Sequence, residues 1–298
     1  MAPIYWYVTG QALPGSSLIS GLILMSHATI HSWFSAYPVR VEHIVWHWQQ
    51  ASPSETERGM RWYADAQHVA TVIARGQTRL GAGMLAVYSP QQAWIGNVLL
   101  AARVLRAGHG LGGPGSGVFA STAQRHAADR LLAGESYEDI LTGPKVRDFA
   151  SLIEHGGDRD PDPARARVVI DRHALSVACG RALTVAEYGA APLTGYRRRD
   201  GSITSSRHYD HVAQLFRHAA DTLARHRHPR LAPHQIQAVC WLVRQRLNEQ
   251  IDRDRSTAAL DAGRATARRR AEQRWRTFQR DHLQHLERCP DTGYPTAA

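Results

Sequence analysis

Leu141-Thr142-Gly143-Pro144-Lys145-Val146 and Val169-Ile170-Asp171-Arg172-His173 are the two stretches on which the reading of this chain turns. In the first, an apolar, glycine-broken turn carries a lysine and opens a helix. Pro144 suits a first helical position, where the amide has no intrahelical partner anyway. In the second, a carboxylate emerges from an apolar run, and a histidine follows two residues later. A linker separates the two.

Working outward, the pattern is helical from Arg61 onward. Trp94, Val98, Ala102 and Leu105 recur at three to four residues, as do Val146, Phe149 and Ile153. Val212, Leu215, Phe216, Ala219 and Leu223 form a third series, and Ile236, Val239, Cys240, Val243 and Leu247 a fourth, with Pro233 at its start. Three segments break the helices: a Gly-rich stretch at 108–117, a second at 156–165 with an Asp-Arg-Asp-Pro-Asp-Pro core, and a third at 189–206 that carries Arg197, Arg198 and Arg199. The expected fold is all-α with long connections.

Three divisions are expected. Residues 1–60 read as an N-terminal appendage: the first fifty hold one base (Arg40), one acid (Glu42) and four of the eight tryptophans, with no sustained period. Residues 61–250 read as one helical domain. Residues 251–298 read as a charged helical tail, in which ten arginines oppose six acids over 252–288, with the Arg268-Arg269-Arg270 triplet as the place for phosphate contact.

A net charge of +10 favours a polyanionic partner, nucleic acid before membrane. Three scattered cysteines (Cys179, Cys240, Cys289) make neither a disulfide framework nor a thiolate cluster and suit a reducing compartment. The apolar run from Leu18 to Met25 is too short to span a bilayer and lacks a basic leader, so a cytoplasmic, nucleoid-associated protein with no membrane partner is expected. Among the seventeen histidines no Cys/His pair has zinc-site spacing with a matching second half, and the 108–117 glycines lack the lysine-Ser/Thr ending of a nucleotide loop. No metal and no small-molecule cofactor is expected.

The run Ile170-Asp171-Arg172-His173, with Val177 and Arg181 at later offsets, resembles the endonuclease III branch of the helix-hairpin-helix DNA glycosylases, which carries Val-Asp-Thr-His and then Val and Arg in the same register. Ser89-Pro90-Gln91 is similar to the Ser-Ala-Gln that opens a helix beside that family's base pocket. Gly143-Pro144-Lys145-Val146 looks like the Gly-Thr-Lys-Val that follows the hairpin in oxoguanine glycosylases. The resemblance covers roughly residues 61–250 and implies a two-lobed helical fold, DNA as partner and a flipped base held between the lobes. It implies Asp171 as the catalytic carboxylate, Lys145 as the lyase amine, Gln91 at the base pocket, and Gly143, Pro144, Lys145, Val146 and Arg147 on the DNA backbone. The departures are a hairpin two residues short, an interval of 26 residues from Lys145 to Asp171 that the 156–165 insertion lengthens, and no four-cysteine iron–sulfur motif. Setting Gly143 on the family's second hairpin glycine puts Lys145 in the lyase position. Setting it on the first puts Arg147 there.

The chemistry wants these residue types. A base inside a duplex is out of reach, so an excising enzyme flips its nucleotide into a pocket. A glycine turn lets backbone amides close on a phosphate oxygen at the positive end of a helix. Breaking the glycosidic bond builds positive charge on the sugar, which a fixed carboxylate stabilises. An amine with a lowered pKa can attack the same carbon. Each residue also has a plainer job: Asp171 as the N-cap of a helix starting at Arg172, and Lys145 as a solvated first-turn lysine, conspicuous only in a chain dominated by arginine. His173 is expected to pack beside Asp171. Three functions follow: a base-excision glycosylase, a catalytically silent DNA-binding protein of the same fold, or a divergent base-modifying enzyme.

Overall fold

The computed structural model describes residues 33–90, 92–112, 120–158, 165–193, 207–225 and 231–254, with positions 266, 269, 270, 273, 276 and 277 of the tail. Among the described residues the protein is all-α, with no strand. Gln91, Arg197, Arg198, Arg199, Arg268 and Cys289 lie outside them, while Arg269 and Arg270 are helical and exposed.

In chain order the helices are α1 (Val41–Gln49), α2 (Pro53–Ile73), α3 (Thr78–Tyr88), α4 (Trp94–Ala107), α5 (Thr122–Leu132), α6 (Tyr137–Ile140), α7 (Pro144–His155), α8 (Arg172–Ala178), α9 (Val185–Gly189), α10 (Arg207–Arg225) and α11 (Pro233–Asp254). The four apolar series become α4, α7, α10 and α11. The chemistry of the helix starts explains several boundaries. Ser52 accepts from Glu55 N while the Glu55 carboxylate takes Ser52 N, a capping box that opens α2 with Pro53 next in line. Ser121 with Gln124, and Thr184 with Glu187, open α5 and α9 in the same way.

Two hydrophobic cores result. The first gathers α2 to α7 around Val69, Leu85, Val98 and Leu152. The second gathers α1, α8 and α10 around Ile44, Leu175 and Phe216. Helix α11 belongs to both: Ala238 and Leu242 face the first core, Ile236, Val239 and Cys240 the second. It approaches α2 so closely that a Cβ on Gly59 would stand 2.6 Å from the Val239 Cα, which leaves glycine as the residue that fits. Glu55 of α2 and Arg246 of α11 close that crossing with an ion pair at 2.8 Å.

The boundary expected near residue 60 falls inside α2. Residues 33–60 are built into the second core rather than appended to it: Trp33, Ile44 and Trp48 are all buried there. Val41, Ile44, Val45 and Trp48 do keep an i, i+3, i+4, i+7 spacing, and α1 turns that face inward.

Candidate active site

The 166–170 segment is extended and runs between the cores. Val168 and Ile170 bury into the second and Val169 into the first, the alternation an extended chain imposes. Tyr209 of α10 pins it: the hydroxyl accepts from Ile170 N at 3.1 Å and has Val168 O at 2.9 Å and the Asp148 carboxylate at 3.2 Å as acceptors. Asp148 sits on α7, where burial pushes its carboxyl up to about 6 against the opposing pull of Arg167. One tyrosine thus joins α7, the extended segment and α10.

That segment delivers Asp171 to the place where the cores meet. Its Oδ1 accepts from Ala174 N at 2.8 Å and caps α8, as the capping reading expects. Its Oδ2 accepts from the indole Nε1–H of Trp241 on α11 at 3.1 Å. The carboxylate also lines a cavity, so capping and a place at the site are held together. His173 packs edge-on against the Trp241 ring at 5.7 Å, and burial holds its pKa below the usual imidazole range.

Lys145 is the only lysine in the chain. It stands in the first turn of α7 and lines the same cavity as Asp171. Burial lowers its amine pKa, and the Asp171 carboxylate pulls in the opposite direction. Lys145 is thus partly buried at the cavity rather than fully solvated. Arg147, the alternative occupant of the lyase position, instead donates to the carbonyl of Glu138 on α6 at 2.6 Å.

The turn Leu141-Thr142-Gly143 joins α6 to α7. Gly143 is the N-cap of α7, without a side-chain cap, at φ −90° and ψ 141°. A Cβ there would meet only Val146 Cγ2, at an ordinary 3.8 Å. Neither backbone conformation nor crowding within the chain requires this glycine. Val146 turns partly onto the first core, and Pro144 holds the first helical position.

The cavity has about 580 Å³ of empty space, including its open mouth. Aromatic rings make its body: Trp62 lies 5.1 Å from Trp94, 5.9 Å from Phe149 and 6.3 Å from Trp241. Gln92, Asn97 and Gln237 add polar groups, the last accepting from the Tyr63 hydroxyl at 3.0 Å. Gln91 lies outside the described residues, but its neighbours Ser89 and Gln92 both line the cavity. Sequence reasoning missed Trp62, Asn97 and Trp241 as site residues and took Trp94 only as a core position. No local signal marked them, because they come together only through the packing of α2, α4 and α11.

Among the described residues no group of three or more His, Cys, Asp or Glu is placed to hold a metal ion. No described helix is long and apolar enough to cross a membrane.

Residues 35–249 match the profile of a family of unknown function (DUF7178), and the chain belongs to that family. No curated protein and no solved structure matches it.

Proposed function

We propose that this protein is a base-excising DNA N-glycosylase, with α6, its turn and α7 serving as the hairpin of a helix-hairpin-helix fold. One observation carries the reading: the chain's only lysine and Asp171, 26 residues apart, share one aromatic-walled cavity. The amine there is biased toward its neutral, nucleophilic form by burial. The neighbouring carboxylate is held by donors from two helices, and so needs little reorganisation as charge develops on a sugar. The net charge of +10 suits a phosphate-rich partner.

In this mechanism a flipped base stacks among the tryptophans. The Lys145 lone pair bonds to C1′ as the glycosidic bond breaks, and the bonding pair leaves with the base. One proton of the amine goes with it. The C1′–O4′ bond then breaks with its pair on O4′, which takes the second amine proton, as the nitrogen lone pair forms the C=N bond of an imine. Asp171 stabilises the positive charge that appears on the sugar between these events.

The second reading, a silent DNA-binding protein, draws support from the same carboxylate, since both of its oxygens already have donors. Borohydride trapping decides between them. Reduction on lesion-bearing oligonucleotides should yield a covalent adduct with the wild type and none with Lys145→Gln, and digestion should place the adduct at residue 145. Because no other lysine exists, only the α-amine can confound the site. No adduct and no base release across a broad lesion panel would favour the silent reading.

A further inference from the structure

Tyr209 brings three partners to a hydroxyl that carries a single hydrogen. Ile170 N lies 3.1 Å from it, Val168 O 2.9 Å and Asp148 Oδ2 3.2 Å. The amide can only donate and the carbonyl can only accept, so the hydroxyl accepts from Ile170 and donates to Val168. Its one hydrogen is then committed. The contact with Asp148 is a hydrogen bond as well only when the carboxyl brings a proton of its own. An ionised Asp148 either draws the hydroxyl hydrogen away from Val168 or faces the lone pairs of the oxygen. In the first case a fully buried carbonyl loses its donor, and no other described residue gives it one. In the second case the carboxylate is pushed off. The Asp148 side chain is 25% exposed, so protons reach it from solvent.

We propose that Asp148 and Tyr209 are positioning residues for Asp171, a latch on the 166–170 segment that closes when the Asp148 carboxyl is protonated and slackens when it ionises. The segment ends one residue before Asp171, whose two oxygens hold Ala174 N and the Trp241 indole, so a shift at Ile170 passes straight to that carboxylate. Charged and titratable groups face the latch from every element around it. Arg167 of the segment stands 3.9 Å from Asp148 and 3.2 Å from Asp158, and Arg217 of α10 donates to the Ala166 carbonyl at 2.8 Å. Burial raises the Asp148 carboxyl and Asp158 adds to the rise, while Arg167 and Arg217 pull the other way, which leaves it at about 6. Tyr63 of α2 stands near Tyr209, and His234 of α11, near Asp158, is held down at about 4. The latch therefore closes on the acid side of neutrality. Its hold over base release rests on the glycosylase reading; the mechanical link from Asp148 to Asp171 does not.

The test follows the Trp241 indole N–H by NMR in the full chain carrying isotope-labelled tryptophan and aspartate, with Trp241→Phe and Asp148→Asn identifying the two signals. Between about pH 5 and about pH 7.5 the indole signal should shift in one step, with the same midpoint as the Asp148 carboxyl carbon, near 6. Asp148→Asn gives the hydroxyl a permanent donor, so the indole signal should stay at its acid position throughout. Tyr209→Phe keeps the ring and cuts the link, so Asp148 should titrate there without moving the indole. A step that survives in either variant belongs to Asp171 or His173 and overturns the proposal. Unequal midpoints in the wild type, or no step, overturn it without any variant having to fold. On lesion-bearing oligonucleotides, the single-turnover rate of Asp148→Asn relative to the wild type should rise from about one at pH 5.5 to about threefold or more at pH 7.5, a ratio in which the titration of Lys145 cancels. A flat ratio overturns the latch's hold over base release. An intact indole step with no base release from either protein leaves the latch and removes the glycosylase reading. Base release without the step removes the latch alone.

Discussion

Trp241 donates its indole N–H to the Asp171 carboxylate at 3.1 Å, and so binds the helix shared by both cores to the start of α8. Trp241→Phe keeps the ring and deletes the donor. A hydrogen bond to a charged group contributes about 1.5–3 kcal/mol, so the melting temperature should fall by several degrees and base release should slow at least about tenfold. DNA affinity should stay within about twofold. Asp171→Asn should fold and bind DNA but lose about a hundredfold or more in base release, because the missing charge matters most as the sugar becomes cationic. Full activity in Asp171→Asn would reject the catalytic assignment.

Gly143 separates two roles for the α6–α7 turn. The chain has room for a Cβ there and imposes no left-handed backbone, so Gly143→Ala should change stability by less than about 1 kcal/mol. If the turn's amides close on a phosphate, the added methyl should weaken DNA binding about tenfold while melting stays unchanged. Wild-type affinity should also fall steeply with salt, as phosphate contacts require. Unaltered affinity in Gly143→Ala would remove the turn from the DNA contact.

Acid should destabilise the fold through buried histidines. Burial takes both His47 and His234 down to about 4, against about 6.5 in the unfolded chain. Below pH 6.5 the unfolded chain binds more protons, so their contribution is complete above that pH and is lost as pH falls toward 4. Each accounts for up to about 3 kcal/mol across that window. Asp148 works the other way: its carboxyl, raised to about 6, gives the folded state extra protons between about 4 and 6. Two histidines outweigh one carboxyl, so the urea midpoint should drop as pH goes from 7 to 4.5. His47→Asn with His234→Asn should flatten that slope, whatever it does to the midpoint at pH 7.

Removing residues 1–59 should abolish cooperative unfolding. The cut deletes α1 and the first two turns of α2, and with them Trp33, Ile44, Trp48 and the Glu55–Arg246 ion pair. Each buried large side chain contributes about 1.5–3 kcal/mol, which together exceeds a sizeable share of a domain's stability. A chain starting at Met60 that melts in one sharp transition near the wild-type temperature would show the segment to be dispensable.

Local patterns settled the helices. The three-to-four-residue recurrence of apolar positions marks α4, α7, α10 and α11, because a helix buries one face and the spacing of that face is written along the chain. The same spacing at Val41, Ile44, Val45 and Trp48 was there to be read, but the scarcity of charge around it masked a helix as an appendage. Asp171 as a cap was equally legible, since capping is a contact over three residues. What decided the site was tertiary. Whether Lys145 faces water or Asp171, and whether it or Arg147 enters the cavity, depends on how α7 rotates against the first core. Trp62, Asn97 and Trp241 come from three helices far apart in the chain, so no spacing could associate them. Trp62 Nε1, Trp94 Nε1 and Asn97 Oδ1 are left without a partner among the described residues by the packing that removes the water around them.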